Sequence, residues 1–522
     1  MTIAKNRAGL LGRAREALAT GRTGGAGAED DGARMIAHGS GRVQGLAVRW
    51  SRVVDGRGRV RDSIEGPFAR AAGFDGHTGW RVDESGMPGP LDLADLEELI
   101  VAAHVWSGRW ARQGVGGSCS LELDLEGARG EDASSDALLL RARIGGVPGP
   151  TVFRLTLDRE HGLPRRLERV GRDDLALLFE DLRPTPFGLV PHRTVRREAW
   201  LEDVACVEGV TGEQTPEGER EGSCFTRARL PPADASFDLE AAAAPFARSR
   251  QGLPLVRALV DGDDPGWFLL DTGAGSCALA TEAASALDLR PFGRRLVRTA
   301  DGVAGVSCRR ATSLRVGPLT ILAPYVLELD VKPFARALGK ALGGILGYDL
   351  FMRARVTLAP GGVTLSEPAT LAEAPDVVPL RFEGGRPVVA VGLPGAGGAR
   401  TTALLALDTG SAAAVTLHAG AASSFAFRGG ARMRLRGLSG AGGARARSMA
   451  WLELAGARLE DVDALVADAG AGVTGDGRDG ARGVVGSLGM GVLRDFTVTL
   501  DYRAARARFT RTTRGLRRPP AR

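Results

Sequence analysis

The chain has 522 residues, of which 44% are hydrophobic and 25% charged, a globular balance with enough material for about three domains. Its 74 glycines and 27 prolines are too few for a collagen-like or wholly disordered protein. The net charge is +6, but residues 503–522 hold eight arginines and no acid, so the rest is near neutral and no nucleic-acid binding is expected.

Targeting and metal-binding signals are sparse in this sequence. No run of 18 apolar residues predicts a transmembrane segment, and residues 1–21 lack the apolar core of a signal peptide. The sequence as written is expected in the cytoplasm, whereas an upstream start with an export signal would place it in the periplasm, so the localisation stays open. Without an HExxH motif, a CxxC pair or a Cys/His cluster, we expect no metal and no cofactor.

The five cysteines are widely spaced along the chain. Two pairings across neighbouring strands are conceivable, Cys206 with Cys224 and Cys277 with Cys308. Buried free thiols are the equal alternative.

The first half of the chain is predicted to be a β domain behind a short lead. Residues 1–40 read as a short helix followed by a flexible lead, residues 41–230 as an antiparallel β accessory domain, and residues 231–250 as a linker. Within the β domain, the apolar spacing of residues 91–108 predicts one helix.

Phrases such as FDGHTGWRVDESG at 74–86 and FEDLRPTPFGLVPHRTV at 179–195 resemble the curved antiparallel sheets of lipoprotein-carrier-like domains. That resemblance implies a half-barrel with an apolar concave face for a lipid or an extended peptide, and it argues for export. The alternative is a β domain that only packs against the rest of the protein.

The second half of the chain repeats itself. FLLDTGAGS at 268–276 recurs as LALDTGSAA at 405–413, and GGILGYDLFMRARVTL at 343–358 recurs as VGSLGMGVLRDFTVTL at 485–500. The two pairs are offset by 137 and 142 residues, so the same signals return in the same order. We therefore define lobe one as residues 251–366 and lobe two as residues 380–512, with a linker at 367–379 and a basic tail at 513–522.

Each copy places an apolar strand directly before Asp-Thr-Gly. A carboxylate at the end of such a strand lies at the edge of a core and is partly desolvated. The glycine permits close backbone approach, and the threonine hydroxyl can brace a neighbouring backbone. Two such turns, each followed by a second apolar-Leu-Gly signal, point to a pair of carboxylates that work together.

These motifs resemble those of retropepsin-like aspartic proteases, whose marks are an apolar-apolar-Asp-Thr-Gly-Ala/Ser turn and a later apolar-apolar-Gly loop. The resemblance covers roughly residues 245–512. It implies two acid-protease β-barrel lobes that form an internal pseudo-dimer. Together with the lipoprotein-carrier-like resemblance of the first half, it implies a mainly β fold with an N-terminal curved antiparallel sheet domain. The site residues it implies are the catalytic Asp271 and Asp408, the active-site loop residues Thr272, Gly273, Ala274, Thr409, Gly410 and Ser411, and the second-loop residues Ile345, Leu346, Gly347, Leu488 and Gly489.

The implied activity is aspartic endopeptidase chemistry on a peptide or protein substrate, in a chain expected to be monomeric and without a transmembrane segment. Two close carboxylates cannot both ionise, so the pair shares one proton and activates a water molecule. Ser411 offers a hydroxyl where lobe one has Ala274, so we expect Asp408 to be the ionised member and Asp271 to hold the proton.

Lobe two departs from the family pattern at Ser487, where an aliphatic residue is usual, and at Gly491, where lobe one has Asp349. One alternative is therefore a degenerate protease fold that binds a peptide or a lipoprotein without cutting it. Another is that each lobe pairs with its twin in a second chain.

Hairpins that cover the cleft are expected at 297–308 and 433–454. The glycine-rich stretch 469–483 lacks the P-loop pattern and is expected to be a loop.

Overall fold

The computed structural model describes residues 2–19, 33–67, 69–83, 86, 88–111, 119–124, 137–144, 151–158, 160–170, 175–198, 201–214, 224–226, 234–299, 302–437, 440–467 and 484–512. Within these ranges the protein is mainly β, which confirms the predicted fold class. The chain divides into two compact units, Met1–Pro231 and Pro232–Arg522.

The first unit is built on one antiparallel sheet. Its strands are β1 (Ala33–Val43), β2 (Leu46–Asp55), β3 (Val60–Glu65), β4 (Arg70–Phe74), β5 (Gly79–Val82), β6 (Pro88–Pro90), β7 (Cys119–Asp124), β8 (Ala137–Ile144), β9 (Thr151–Leu157), β10 (Pro164–Arg169), β11 (Leu175–Thr185), β12 (Gly188–Glu198) and β13 (Leu201–Gln214). They pair in the order β6-β5-β4-β3-β2-β1-β13-β12-β11-β10-β9-β8-β7. The β1–β2 turn has positive φ at both central residues, Gln44 and Gly45, the backbone of a tight two-residue hairpin.

Two helices accompany this sheet, α1 (Thr2–Ala19) and α2 (Leu93–Trp106), together with a 3₁₀ turn at Arg109–Ala111. Helix α2 contacts β3 and β4 near one end of the strand order and β8 near the other. Strands β3 and β8 are eight positions apart, roughly 38 Å in a flat sheet, whereas a helix of this length spans only about 21 Å. The sheet therefore curls around α2, and Trp106 and Val105 lie buried in the resulting core.

The second unit begins with the strands of lobe one and two short strands that precede it. These are β14 (Ala235–Phe237), β15 (Phe246–Arg248), β16 (Pro254–Arg257), β17 (Leu259–Val260), β18 (Trp267–Leu270), β19 (Ala278–Ala280), β20 (Pro291–Thr299), β21 (Gly302–Arg310), β22 (Ser313–Val316), β23 (Leu319–Leu322), β24 (Tyr325–Leu329), β25 (Leu342–Leu346), β26 (Arg355–Ala359) and β27 (Gly362–Ser366). The helices here are α3 (Thr281–Ala286), α4 (Lys332–Leu338) and α5 (Tyr348–Phe351). Strands β14, β23, β22 and β17 form a separate small sheet.

Lobe two and the strand before it complete this unit. The strands are β28 (Val377–Pro379), β29 (Arg381–Glu383), β30 (Arg386–Pro394), β31 (Arg400–Asp408), β32 (Val415–Leu417), β33 (Arg428–Gly437), β34 (Gly440–Leu454), β35 (Ala457–Ala467), β36 (Val484–Gly489), β37 (Phe496–Asp501) and β38 (Arg506–Arg511). A 3₁₀ segment (Ala419–Ser424) and helix α6 (Met490–Leu493) lie between them.

The two lobes have the same sheet topology. One eight-stranded sheet runs β15-β16-β18-β25-β19-β24-β21-β20, and the other runs β29-β30-β31-β36-β32-β35-β34-β33, so each strand has a counterpart at the same position. A five-stranded sheet, β27-β26-β37-β38-β28, joins the lobes through the antiparallel pair β26–β37. Thr357 and Thr499 share a hydrogen bond of 3.1 Å in that pair.

Several segment boundaries differ from those expected from sequence. Strand β1 begins at Ala33, inside the expected lead. The expected linkers 231–250 and 367–379 contain β14, β15 and β28, because each of these short segments pairs with a strand of the second unit. The expected helix at 91–108 is α2. Parts of the hairpin tips, residues 300–301 and 438–439, lie outside the described residues, as do the loop 469–483 and the tail 513–522.

Candidate active site

Two Asp-Thr-Gly turns meet between the lobes. Strand β18 ends immediately before Asp271, and β31 ends at Asp408. Strand β18 is apolar and mostly buried, and in β31 the apolar residues directly before Asp408, 405–407, are buried. Each strand pairs in parallel with the strand that carries the second loop, β25 in lobe one and β36 in lobe two. Both carboxylates therefore extend from rigid, buried strands.

The two threonines lock the turns together. The Thr272 backbone N–H donates to Thr409 Oγ1 at 3.0 Å, and the Thr409 N–H donates to Thr272 Oγ1 at 3.0 Å. Each hydroxyl also donates to a carbonyl of the opposite lobe, Thr272 to Leu407 at 2.8 Å and Thr409 to Leu270 at 2.7 Å. Both threonines are buried, so these four bonds fix the separation of the two aspartates.

The two carboxyl groups lie against each other. They share a hydrogen bond, and the Gly273 backbone N–H donates to Asp271 Oδ1 at 2.7 Å. A methyl group at Gly410 would lie 2.5 Å from Asp271 Cγ, and one at Gly273 would lie 2.8 Å from Asp408 Oδ1. Only glycine leaves room for both carboxyl groups at these positions.

The surroundings of the two aspartates act differently on their pKa values. Burial, followed by the negative charge of Asp408, raises the pKa of Asp271 to about 7. Burial also raises the pKa of Asp408, but the Arg386 charge and backbone N–H groups of Gly410 and Ser411 oppose that rise. These opposing influences favour a proton on Asp271 and a negative charge on Asp408.

The reason for this asymmetry is not the one expected from sequence. The Ser411 hydroxyl accepts a hydrogen bond from the Ala413 backbone N–H at 3.3 Å, and it is the Ser411 N–H that acts on Asp408. The charge of Arg386 had no sequence signal, because no motif marks this residue; it lies at the start of β30, which pairs antiparallel with β31.

The second loops cross directly behind the turns. Tyr348 N–H donates to the Ala274 carbonyl at 3.0 Å in lobe one, and Met490 N–H donates to the Ser411 carbonyl at 2.8 Å in lobe two. A methyl group at Gly347 would lie 2.5 Å from the Ser276 carbonyl oxygen, and one at Gly489 would lie 2.4 Å from that of Ala413. The remaining predicted second-loop side chains are apolar and buried: Ile345, Leu346 and Leu488.

A polar network supports the second loop of lobe one. The Cys277 N–H donates to Asp349 Oδ2 at 2.6 Å, and the Gly347 N–H donates to Cys277 Sγ at 3.3 Å. Arg353 donates to the Asp349 carbonyl at 2.9 Å, and its fully buried guanidinium pairs with Asp234 at 2.5 Å. No sequence motif links Asp234 with Arg353, since 119 residues separate them.

Lobe two has Gly491 at the position of Asp349, and a methyl group there would lie 2.6 Å from the Ala414 backbone nitrogen. The other departure, Ser487, is a buried residue of β36 paired with Ala406 and Thr416. Both departures therefore lie in the scaffold behind the turn.

An aromatic cluster fills the space behind helix α5. Tyr502 stacks on Phe351 with ring centroids 4.9 Å apart and meets Phe382 edge-on at 5.0 Å and Tyr348 at 5.9 Å. Phe382 and Tyr502 belong to lobe two, whereas the other two residues belong to lobe one. The cluster therefore joins α5 of lobe one to lobe two.

Among the residues that the structure describes, no group of three or more His, Cys, Asp or Glu residues could hold a metal ion. Four cysteines, Cys206, Cys224, Cys277 and Cys308, are free thiols. No helix in the described ranges is long and apolar enough to span a membrane.

A comparison with known protein families finds a match in lobe one. Residues 256–350 match the family described as aspartyl protease, a range that includes Asp271 and Gly347. This match confirms the resemblance of lobe one to aspartyl proteases. No curated protein matches the chain.

Three solved structures are similar to parts of the chain. An aspartic proteinase from Irpex lacteus is 14% identical with a TM-score of 0.30, over 52% of this chain and 98% of the other. A LolA superfamily protein from Nitrosomonas europaea is 15% identical with a TM-score of 0.26, over 42% and 97%. A MucA/MucB complex structure from Pseudomonas aeruginosa is 14% identical with a TM-score of 0.14, over 65% and 97%.

Proposed function

We propose that this protein is an aspartic endopeptidase whose catalytic pair, Asp271 and Asp408, comes from the two lobes of one chain. The observation that carries this proposal is the pair of reciprocal hydrogen bonds between Thr272 and Thr409, which hold two buried carboxyl groups side by side between the lobes. A site that only had to bind a peptide would have no need for a buried, proton-sharing carboxyl pair.

In the proposed reaction, a water molecule lies between the two carboxyl groups and the peptide carbonyl. Ionised Asp408 takes a proton from this water as its oxygen attacks the carbonyl carbon. Protonated Asp271 donates a hydrogen bond to the carbonyl oxygen and stabilises the tetrahedral intermediate. The leaving nitrogen takes up a proton from the pair as the C–N bond breaks, and no covalent enzyme intermediate forms.

The alternative, a degenerate protease fold that binds a peptide without cutting it, was based on the two departures of lobe two from the family pattern. Ser487 and Gly491 lie in the backbone scaffold, and neither replaces a group that would contact the reacting atoms. No described feature favours that alternative, and a peptide or protein remains the proposed substrate class.

The proposal is tested by digesting an unfolded model protein between pH 3 and pH 8, with and without a statine-type inhibitor. We expect cleavage by the wild-type protein, inhibition by the statine compound, and no cleavage by Asp271→Asn or Asp408→Asn. Folded wild-type protein that cleaves nothing across this range would contradict the proposal, as would either variant retaining wild-type activity.

A further inference from the structure

Arg386 lies beside the candidate active site and makes few hydrogen bonds to the residues that the structure describes. Arg386 is half-buried at the start of β30, and among the described residues its guanidinium has one hydrogen-bond partner, the Glu383 carbonyl at 3.3 Å. A guanidinium has five N–H donors in a fork that matches a carboxylate. Within the described ranges, most of that fork therefore has no hydrogen-bond partner and is available to a ligand.

The position of Arg386 is set by a tight contact between the lobes. The β29–β30 turn, Gly384-Gly385, lies against the active-site loop of lobe one. A methyl group at Gly275 would lie 2.4 Å from the Gly384 carbonyl oxygen, and one at Gly385 would lie 3.2 Å from Gly275 Cα. Arg386 is thus held beside the loop that begins with Asp271, and its charge acts on Asp408.

The hairpins at the edges of the two sheets add positive charge. Residues 291–310 contain five arginines and one aspartate, and residues 428–454 contain six arginines and one glutamate. One of these cations, Arg295, donates to Ser276 Oγ at 3.4 Å, next to Gly275 in the same loop. The chain before the basic tail is near neutral, so this positive charge is concentrated in particular parts of the second unit.

We propose that the cleft selects peptides with an acidic side chain two or three residues from the scissile bond, and that Arg386 binds this carboxylate. The inference rests on the proposed function, because it places the scissile bond at the two aspartates. An extended peptide advances about 3.3 Å per residue, so a side chain two or three positions away lies within reach of a long arginine at the loop. A charge-assisted guanidinium–carboxylate contact there strengthens binding and orients the peptide.

The test uses the full-length protein and matched peptides that differ only by Glu or Gln, placed two or three residues to either side of one cleavable bond. At about pH 6 the glutamate is ionised and Asp271 keeps its proton. We expect kcat/KM about tenfold higher for the preferred Glu peptide, mainly through a lower KM, and a smaller ratio at high salt.

Substitutions of Arg386 test whether this residue binds the acidic side chain of the peptide. Arg386→Gln is expected to bring the Glu/Gln ratio close to one, and Arg386→Glu to favour a matched Lys peptide over the Glu peptide. The control is Arg381→Gln, which removes the same charge from an exposed position on β29 of the same hairpin and should keep the wild-type ratio. Equal cleavage of Glu and Gln peptides by wild type, or an unchanged ratio in Arg386→Gln, would overturn the inference.

Peptide binding separates this inference from catalysis. Fluorescence anisotropy with Asp271→Asn measures peptide affinity without turnover, and we expect about tenfold tighter binding of the Glu peptide. If the protein prefers the Glu peptide but wild type cleaves nothing, the proposed catalysis is rejected and the acidic selectivity is kept. If wild type cleaves peptides without this preference, the acidic selectivity is rejected and the proposed catalysis is kept. Equal displacement of the Glu peptide by an oligonucleotide of matched charge would indicate a general polyanion surface and overturn the peptide assignment.

Discussion

In the proposed mechanism, the protonation of Asp271 governs both the cleavage activity and the stability of the fold. Its folded pKa of about 7 lies well above the unfolded value of 3.8. The folded state therefore holds this proton more tightly, and the stabilising contribution is complete below about pH 4 and is lost as the pH rises through about 7. We expect cleavage activity to decline over the upper part of the same range, as the proton leaves the pair.

Asp271→Asn should remove the loss of stability at high pH, and it should also abolish cleavage. At pH 8 the variant should unfold at a higher temperature than wild type, by a free-energy difference on the order of a few kcal/mol, and the two should converge near pH 4. Thermal unfolding followed by circular dichroism at both pH values measures this. Asp263→Asn, at an exposed turn, is the control, and a variant less stable than wild type at pH 8 would contradict the assignment.

The acidic limb of the pH–rate profile reports on Asp408. Arg386 lowers the pKa of Asp408, so Arg386→Gln should move this limb to higher pH. Ser411→Ala should leave it in place, because the hydroxyl bonds to the Ala413 backbone while the Ser411 N–H is retained. The peptide substrate should be neutral, so that its own charge does not affect the comparison. An acidic limb that moves in Ser411→Ala but not in Arg386→Gln would show that the Ser411 hydroxyl acts on the Asp408 carboxylate.

At the scale of elements, close crossing of each turn and its second loop is what holds the site in shape. Gly347→Ala would place a methyl group within 2.6 Å of two carbonyl oxygens, and Gly489→Ala would do so within 2.8 Å. Each substitution should lower the free energy of unfolding by about 1–3 kcal/mol or more and reduce activity. Gly361→Ala, which meets nothing within 4 Å, should change neither, as measured by urea unfolding and peptide cleavage.

The turns and second loops could be predicted from the sequence because short motifs encode them. Asp-Thr-Gly follows an apolar strand in both lobes, and the later Leu-Gly recurs at nearly the same offset. Arg386 could not be found this way, because its influence on Asp408 depends on the antiparallel pairing of β30 with β31, which no short motif marks. The sequence also did not predict strands β14, β15 and β28, because segments of three residues become strands only through the strands with which they pair.

At the scale of the whole molecule, the segment before lobe one is part of the second unit. Asp234 pairs with the fully buried Arg353, which in turn holds the Asp349 carbonyl behind the active-site loop. Asp234→Ala would remove a carboxylate that pairs with this buried cation, and we expect a loss of about 3–5 kcal/mol in unfolding free energy. Asp263→Ala is the matched control, and equal stability of the two variants would show that the ion pair contributes little.

The mainly β fold could also be predicted at this scale, because alternating apolar residues encode strands that bury one face, whereas the curvature of the first sheet was implied by the resemblance to lipoprotein-carrier-like domains. The extent of the first sheet could not be predicted. Its register depends on pairing between β1 and β13, strands separated by most of the unit. No motif indicates a ligand for that unit, whereas the Asp-Thr-Gly turns of the second unit indicate the chemistry that we propose.

The most direct test of the central claim is complementation between the two inactive variants. If Asp271 and Asp408 of the same chain form the site, then Asp271→Asn, Asp408→Asn and their equimolar mixture should all be inactive on a peptide that wild type cleaves. Sedimentation should show active wild type as a monomer. Activity in either single variant would indicate pairing of identical lobes between chains, and activity that appears only in the mixture would indicate exchange of lobes; either result would contradict an internal catalytic pair.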